Sequence, residues 1–187
     1  MENQNKKIIE NAFEKILKGL ENNVDKNGTK DTPKRVSKAY EELLSGYDAD
    51  INKVINNALF DVEYDQIVIV KNIRFYSLCE HHMLPFFGKI DVGYLPNEKI
   101  IGLSKIPRIT KVFSRRLQVQ ERLTEEIGES IYKNTKAQGT GVVITAQHLC
   151  SAMRGVNLPG TEMVTSSLFG TFKSDSSTRK EFFDLIK

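Results

Sequence analysis

The sequence predicts an α+β fold with a mainly antiparallel sheet, and three observations predict it. Apolar residues recur at helical spacing over the first sixty positions. Short β-branched and alternating runs begin after Gln66, and two helix-period stretches interrupt them before strands resume. A doubly wound sheet would instead alternate strand and helix throughout. With 187 residues the chain is long enough to bury one core, and 40% hydrophobic with 27% charged residues excludes disorder as its main state. It is read as one domain, 1–187, with an N-terminal helical region (1–60) before a core of strands and helices (61–187).

In chain order, Ile8, Ile9, Ala12, Phe13, Ile16, Leu17 and Leu20 make one apolar helix face, and Asn27-Gly28 breaks the pattern. Thr32-Pro33 has the form of an N-cap followed by proline at the first helical position. Val36, Ala39, Tyr40, Leu43 and Leu44 form the buried stripe of that helix, which Gly46 stops; Ile51 to Leu59 keeps the helical period. Ile67 to Ile73 is short and β-branched, hence a buried strand. Phe87 to Leu95 alternates with Ile90, Val92 and Tyr94 on one face, Pro96-Asn97-Glu98 turns, and Ile100-Ile101 resumes a strand. Ile106, Ile109, Phe113 and Leu117 stripe one helix, and Leu123, Ile127 and Ile131 the next. Strands then span Val142 to Leu149 and roughly Met163 to Phe172, separated by a Pro159-Gly160 turn. Thr178-Arg179-Lys180-Glu181 reads as a capping box opening a last helix that turns Phe182, Phe183 and Ile186 inward.

Charge and hydropathy narrow the function classes. There are 27 basic and 24 acidic residues, 27 − 24 = +3, too mild an excess to imply nucleic acid. The run Ser114-Arg115-Arg116 is isolated and lacks interleaved aromatics for base stacking. The longest apolar run, Ile67-Val68-Ile69-Val70, is far short of the roughly 20 residues of a membrane helix. Met1 to Glu10 is polar, unlike a signal peptide, so a cytoplasmic protein with no membrane partner is expected. A Gly-x-x-x-x-Gly-Lys-Ser/Thr phosphate loop is lacking.

The scarce residues carry the chemistry. Every cysteine and histidine lies in one of two windows, Cys79-Glu80-His81-His82 and His148-Leu149-Cys150. In a reducing compartment a disulfide between the two cysteines is disfavoured. A lone Cys-x-x-His is more often a pair of ordinary core residues; the second window is what turns the reading towards a metal. Cys79 and His82 would face opposite ways in a strand, so their segment should be a turn. Cys150 and His148, two apart at the end of an expected strand, should share a face. Cys79, His82 and Cys150 thus make a three-ligand set, with His81 and His148 as imidazoles not required for coordination. Three ligands leave a position for water, as in hydrolytic zinc sites rather than closed structural ones. The spacing alone leaves the metal and the reaction open. A zinc deaminase would need His-x-Glu and Pro-Cys-x-x-Cys elements, which the chain lacks.

From about Thr32 to the C-terminus the sequence resembles the GTP cyclohydrolase I family. The resemblance is densest at Cys79-Glu80-His81-His82, Gly102-Leu103-Ser104-Lys105, Gln118-Val119-Gln120-Glu121-Arg122-Leu123-Thr124, His148-Leu149-Cys150 and Met153-Arg154-Gly155. It implies the tunnelling fold, with two helices packed on one face of the sheet, and a homodecamer with active sites where subunits meet. It implies zinc-dependent hydrolysis of GTP to 7,8-dihydroneopterin triphosphate and formate, the entry step to folate or pterin synthesis. Cys79, His82 and Cys150 then match the zinc ligands, and His81 and His148 the catalytic histidines, with His148 protonating N7 of the purine. Ser104 is matched to the later ribose rearrangement. Glu121, with Gln120 beside it, matches the carboxylate that reads guanine, whose N1 and amino N–H groups an ionised carboxylate can accept together. Lys105, Arg108 and Arg154 match triphosphate-contacting positions, and Arg35 is expected to reach a neighbouring subunit's site. Pro107 departs from the family's usual residues, but falls in a first helical turn where a missing N–H costs little. The alternative is a non-catalytic zinc-containing nucleotide-binding protein on the same fold.

Overall fold

The computed structural model describes residues 3–20 and 23–187. The N-terminal region holds α1 (Asn3–Gly19), α2 (Lys26–Thr29), α3 (Thr32–Leu43), a 3-10 turn (Ser45–Asp48) and α4 (Ile51–Ile55). The middle of the chain forms β1 (Leu59–Asp61), β2 (Val68–Cys79), β3 (Pro85–Leu95), β4 (Lys99–Ile101), α5 (Lys105–Ser114), β5 (Leu117–Gln118) and α6 (Gln120–Thr135). The chain ends with β6 (Gly139–His148), α7 (Leu149–Ala152), β7 (Met163–Gly170), α8 (Thr171–Ser174) and α9 (Ser176–Ile186).

A five-stranded sheet runs in the order β5-β2-β3-β6-β7, and β1 pairs separately with β4. The larger sheet is antiparallel except where β5 lies parallel to the end of β2. The expected mixed α+β architecture with a mainly antiparallel sheet is therefore present. The stripes of α5 (Ile106, Ile109, Phe113) and α6 (Leu123, Ile127, Ile131) belong to one core with Phe75, Ile90, Val92 and Ile144 of the sheet. A smaller cluster of Val143, Phe172 and Phe182 holds the C-terminal helices.

Several boundaries differ from the sequence reading, each for a local reason. Asn27-Gly28 is inside α2, where the Asp25 carboxylate accepts from the Asn27 N–H and caps a single turn. Asp31, not Thr32, occupies the N-cap of α3. Leu59 leaves the helix because Asn56 and Asn57 adopt positive φ and redirect the chain into β1, where Leu59 pairs with Ile101. Leu117 lies in β5 beside Leu78, beyond the end of α5. β2 continues past Ile73 to Cys79 through an irregularity between Val70 and Ile73, where Asp91 accepts from the N–H of left-handed Asn72. Phe172 sits in α8 rather than β7. The last helix starts at Ser176, capped by Asp175, whose carboxylate accepts from the Thr178 N–H at 2.7 Å. Those hydrogen bonds from Ser177 and Thr178 hold the Asp175 carboxyl well below the usual carboxylate range.

The N-terminal stripes are less buried than the pattern suggests. Ile8 is 61% exposed and Ile16 53% exposed, and on α3 Pro33 and Ser37 are buried while Ala39 is exposed. Gly46 makes the close approach to α5: a Cβ there would lie 1.9 Å from the Val112 carbonyl oxygen.

Candidate metal and substrate site

The Cys79–His82 segment is a turn, as its spacing requires. β2 ends at Cys79, whose N–H donates to the Leu84 carbonyl and whose carbonyl accepts from the Met83 N–H at 2.7 Å. Met83 takes a positive φ to close this short connection into β3. Cys150 arrives from elsewhere. β6 stops at His148, and Cys150 lies in the single turn of α7, so the shared strand face expected for His148 and Cys150 is not what aligns them. The ligand atoms of Cys79, His82 and Cys150 nevertheless converge within 4.8 Å of one another. The Cys79 Sγ lies 3.8 Å from His82 Nδ1 and 3.9 Å from His81 Nδ1.

This donor set suits zinc, being two sulfurs and one imidazole, one short of the four ligands of a closed structural site. Burial pushes the Cys150 thiol up, and the neighbouring Cys79 adds to it, because two thiolates this close repel. A divalent cation removes that penalty by deprotonating coordinating thiols outright. Arg154 reaches the same cluster, its Nη1 lying 3.4 Å from His82 Nε2.

His148 is held from two sides. Its ring stacks on buried Phe86, with centroids 4.7 Å apart and planes at 5°, and its Nε2 lies 2.8 Å from Gln120 Oε1. Burial lowers its pKa, while the Glu121 carboxylate opposes that shift. Glu121 is exposed in the first turn of α6, where the macrodipole also favours an acid. Gln120 is 1% exposed, and its amide nitrogen donates to Ile144 O, Met163 O and Thr165 Oγ1. Its side-chain amide is thus hydrogen-bonded within the protein at both ends.

His81 is 65% exposed, with Nε2 4.0 Å from Glu80 Oε1. Glu80 pairs closely with Arg122, whose hydrogen bond holds the Glu80 carboxyl below its usual range. Arg122 is anchored in turn by Gln118 Oε1 at 2.9 Å. Residue spacing assigns no role to Glu80 or Arg122 and gives no sign of Phe86. The signal for Phe86 is the sheet register, which sets it opposite His148.

The remaining expected residues lie apart. Ser104 is the N-cap of α5, without a side-chain capping bond, and Pro107 falls in the first turn as expected. The Lys105 ammonium donates to the Val54 carbonyl at 2.9 Å. Arg108 lines a cleft with Ser45, Gly46, Lys111 and Arg115 that includes none of the metal-cluster residues. Arg35 is 74% exposed on α3, 3.8 Å from Asp31. Among the described residues no hydrogen bond or ion pair joins these four to the metal cluster or to His148. Arg115 and Arg116 are engaged internally, Arg115 with Glu42 and Arg116 over the Phe113 ring at 4.8 Å.

The sequence model of the family described as GTP cyclohydrolase I matches residues 9–187. The chain belongs to the GTP cyclohydrolase I family. It is 54% identical over 179 residues to GTP cyclohydrolase 1 of Leptospira biflexa serovar Patoc, an alignment covering 96% of this chain and 98% of that protein. Against the Methylococcus capsulatus GTP cyclohydrolase 1 identity is 49%, over 96% of this chain and 97% of the relative. The Campylobacter lari GTP cyclohydrolase 1 is 49% identical over 95% of this chain and 94% of its own length. With coverage this complete on both sides, the family assignment extends to the N-terminal helices, beyond the Thr32 boundary where the sequence resemblance began. Among the described residues, no helix is long and apolar enough to cross a membrane.

Proposed function

We propose that the chain is a zinc-dependent GTP cyclohydrolase I that converts GTP to 7,8-dihydroneopterin triphosphate and formate, the first step of tetrahydrofolate or pterin synthesis. The observation that carries this reading is the convergence of Cys79, His82 and Cys150 in a chain about half identical to GTP cyclohydrolases along nearly its whole length. Zinc held there would supply an activated water at neutral pH and a Lewis acid. The chain's own residues do the rest. Glu121 accepts the guanine N1 and amino N–H groups, which sets the purine next to His148. His148 delivers a proton to N7, making C8 the carbon at which water adds. His81, held beside Glu80, relays protons as the imidazole ring opens and a second water releases formate. Ser104 serves the ribose rearrangement, and closure of the new ring loses one water.

Lys105, Arg108, Arg154 and Arg35 neutralise the triphosphate, with Gln120 at the inner end of the purine site. Only Arg154 stands against the metal cluster in one chain. The scatter of the other three supports an active site completed by neighbouring subunits in a homodecamer. Exposed Ile8, Ile16, Leu103 and Val156 supply apolar surface for such contacts. The finer fold reading is the tunnelling fold, with α5 and α6 on one face of the sheet; the single core that holds both stripes supports it. We read 1–60 as the helical region and 61–187 as the catalytic core of one domain. The free cysteines suit a reducing cytoplasm.

The test is zinc-loaded protein with GTP, followed for formate and, after oxidation, for a fluorescent pterin. Formate and pterin in equal amounts are expected. GTP binding with neither product would return the non-catalytic reading.

A further inference from the structure

We infer that Gln120 is a positioning residue that fixes the tautomer of His148, so that Nε2 keeps its hydrogen and Nδ1 is the ring atom that exchanges a proton with substrate. The inference rests on the reading of His148 as the proton-handling group, and it changes the role of Gln120 from binding substrate to orienting that group.

The orientation of the Gln120 amide is dictated by its surroundings. One end faces the carbonyl oxygens of Ile144 and Met163, at 3.1 and 2.9 Å, and these can only accept. That end is therefore the nitrogen. Thr165 Oγ1, 3.1 Å away, accepts as well, and the hydroxyls leave it free to do so. Thr124 Oγ1 donates to the Gln120 carbonyl at 2.6 Å, so its remaining contact, 2.6 Å to Thr165 Oγ1, must have Thr165 as donor. The two amide hydrogens face three acceptors, so one is shared, and no arrangement of them puts Oε1 against these carbonyls. The Gln120 Oε1 is left facing His148 Nε2 at 2.8 Å, and an amide oxygen can only accept. Nε2 must carry hydrogen.

Phe86 completes the clamp. Its fully buried ring stacks on the imidazole at 5° and holds the ring plane, while the contact with Gln120 Oε1 sets which edge carries Nε2. Nδ1 has no hydrogen-bond partner among the described residues. A histidine fixed through one nitrogen presents the other in a defined state. When Nδ1 delivers its proton to N7, the N–H bond passes its electron pair back to the ring. The ring left behind is the neutral Nε2–H tautomer, still donating to Gln120. No hydrogen bond need be broken or reversed during the transfer.

Three histidines in the chain make the tautomer directly readable. Zinc-loaded protein labelled with 15N-histidine would be sedimented and examined by solid-state NMR, with His148→Gln identifying the signal. At a pH where His148 is neutral, an Nε2–H, bare Nδ1 pattern is expected. An Nδ1–H pattern in the unmodified protein would overturn the inference without touching the assignment of activity, which formate release tests separately. In Gln120→Met, which has the length but no acceptor, both tautomers should appear, and kcat should fall about tenfold or more while KM for GTP changes less than about twofold. Gln120→Glu, which when protonated at the oxygen facing the Ile144 and Met163 carbonyls retains an acceptor for Nε2–H, should hold the Nε2–H tautomer and lose less kcat. A rise in KM with kcat unchanged in Gln120→Met would instead make Gln120 a substrate contact.

Discussion

Cys79, His82 and Cys150 bring their ligand atoms within 4.8 Å of one another inside one chain, whereas Lys105 is tied to the Val54 carbonyl and Arg35 stands 74% exposed on α3. The first group sits at the turn that follows β2 and the helical turn that follows β6, both closed by backbone hydrogen bonds. The second sits on helices at long, flexible stems. Metal and proton chemistry need the geometry of a rigid scaffold. A triphosphate needs positive charge at roughly the right distance, and a long cationic side chain from another subunit can supply it. On the proposed assembly, the metal-and-base end is complete in one chain and the cation end is shared.

The largest break in that contrast is at the proposed metal site. Cys150→Ser should lose zinc and activity together, measured by atomic absorption and pterin fluorescence. His148→Ala should retain one zinc per subunit while turnover falls by roughly 10²–10⁴, as for a lost general acid. Zinc lost from the His148 variant would make it a fourth ligand and close the site. Next in size is Glu121, the carboxylate proposed to read the base. Glu121→Gln turns one acceptor into a donor facing guanine donors, so KM for GTP should rise about 10- to 100-fold, in line with one or more lost charge-assisted hydrogen bonds of ~1.5–3 kcal/mol. Its zinc content should not change, and an unaltered KM would remove Glu121 from the site.

The cation end is best tested in trans. Arg35→Ala and His148→Ala subunits, each inactive alone, should recover activity when exchanged into hybrid assemblies, up to roughly a quarter of wild type if partners mix at random. No recovery despite demonstrated subunit exchange would place Arg35 and His148 in the same chain's site. The smallest effect is expected at Glu80, which orients the exposed His81 from an exposed ion pair with Arg122. Glu80→Gln should leave zinc bound and lower kcat only a few-fold, since exposed pairs contribute little. A loss as large as that of His148→Ala would show that the Glu80–Arg122 pair matters far beyond its exposure.

Residue order alone was enough for the fold class, the stripes of α5 and α6, and the grouping of Cys79, His82 and Cys150. Ile106, Ile109, Leu123, Ile127 and Ile131 sit at 3.6-residue periodicity and are all essentially fully buried. Cys79-x-x-His82 requires a turn, and β2 does end in a turn there. Those features are written in short-range spacing, which a single helix or hairpin obeys wherever it lies. Other features depend on contacts between distant segments and emerged only once the chain was folded. Leu59 and Leu117 left their expected helices for strands because β4 and the end of β2 offered backbone partners. Cys150 met Cys79 from a helical turn rather than a strand. Gln120 turned its amide oxygen to His148, because β6 and β7 surround its amide nitrogen with acceptors 24 to 45 residues away. Hydrogen-bond satisfaction in a buried space is a property of the assembled core, and no local pattern of residues encodes which distant carbonyl a side chain will meet.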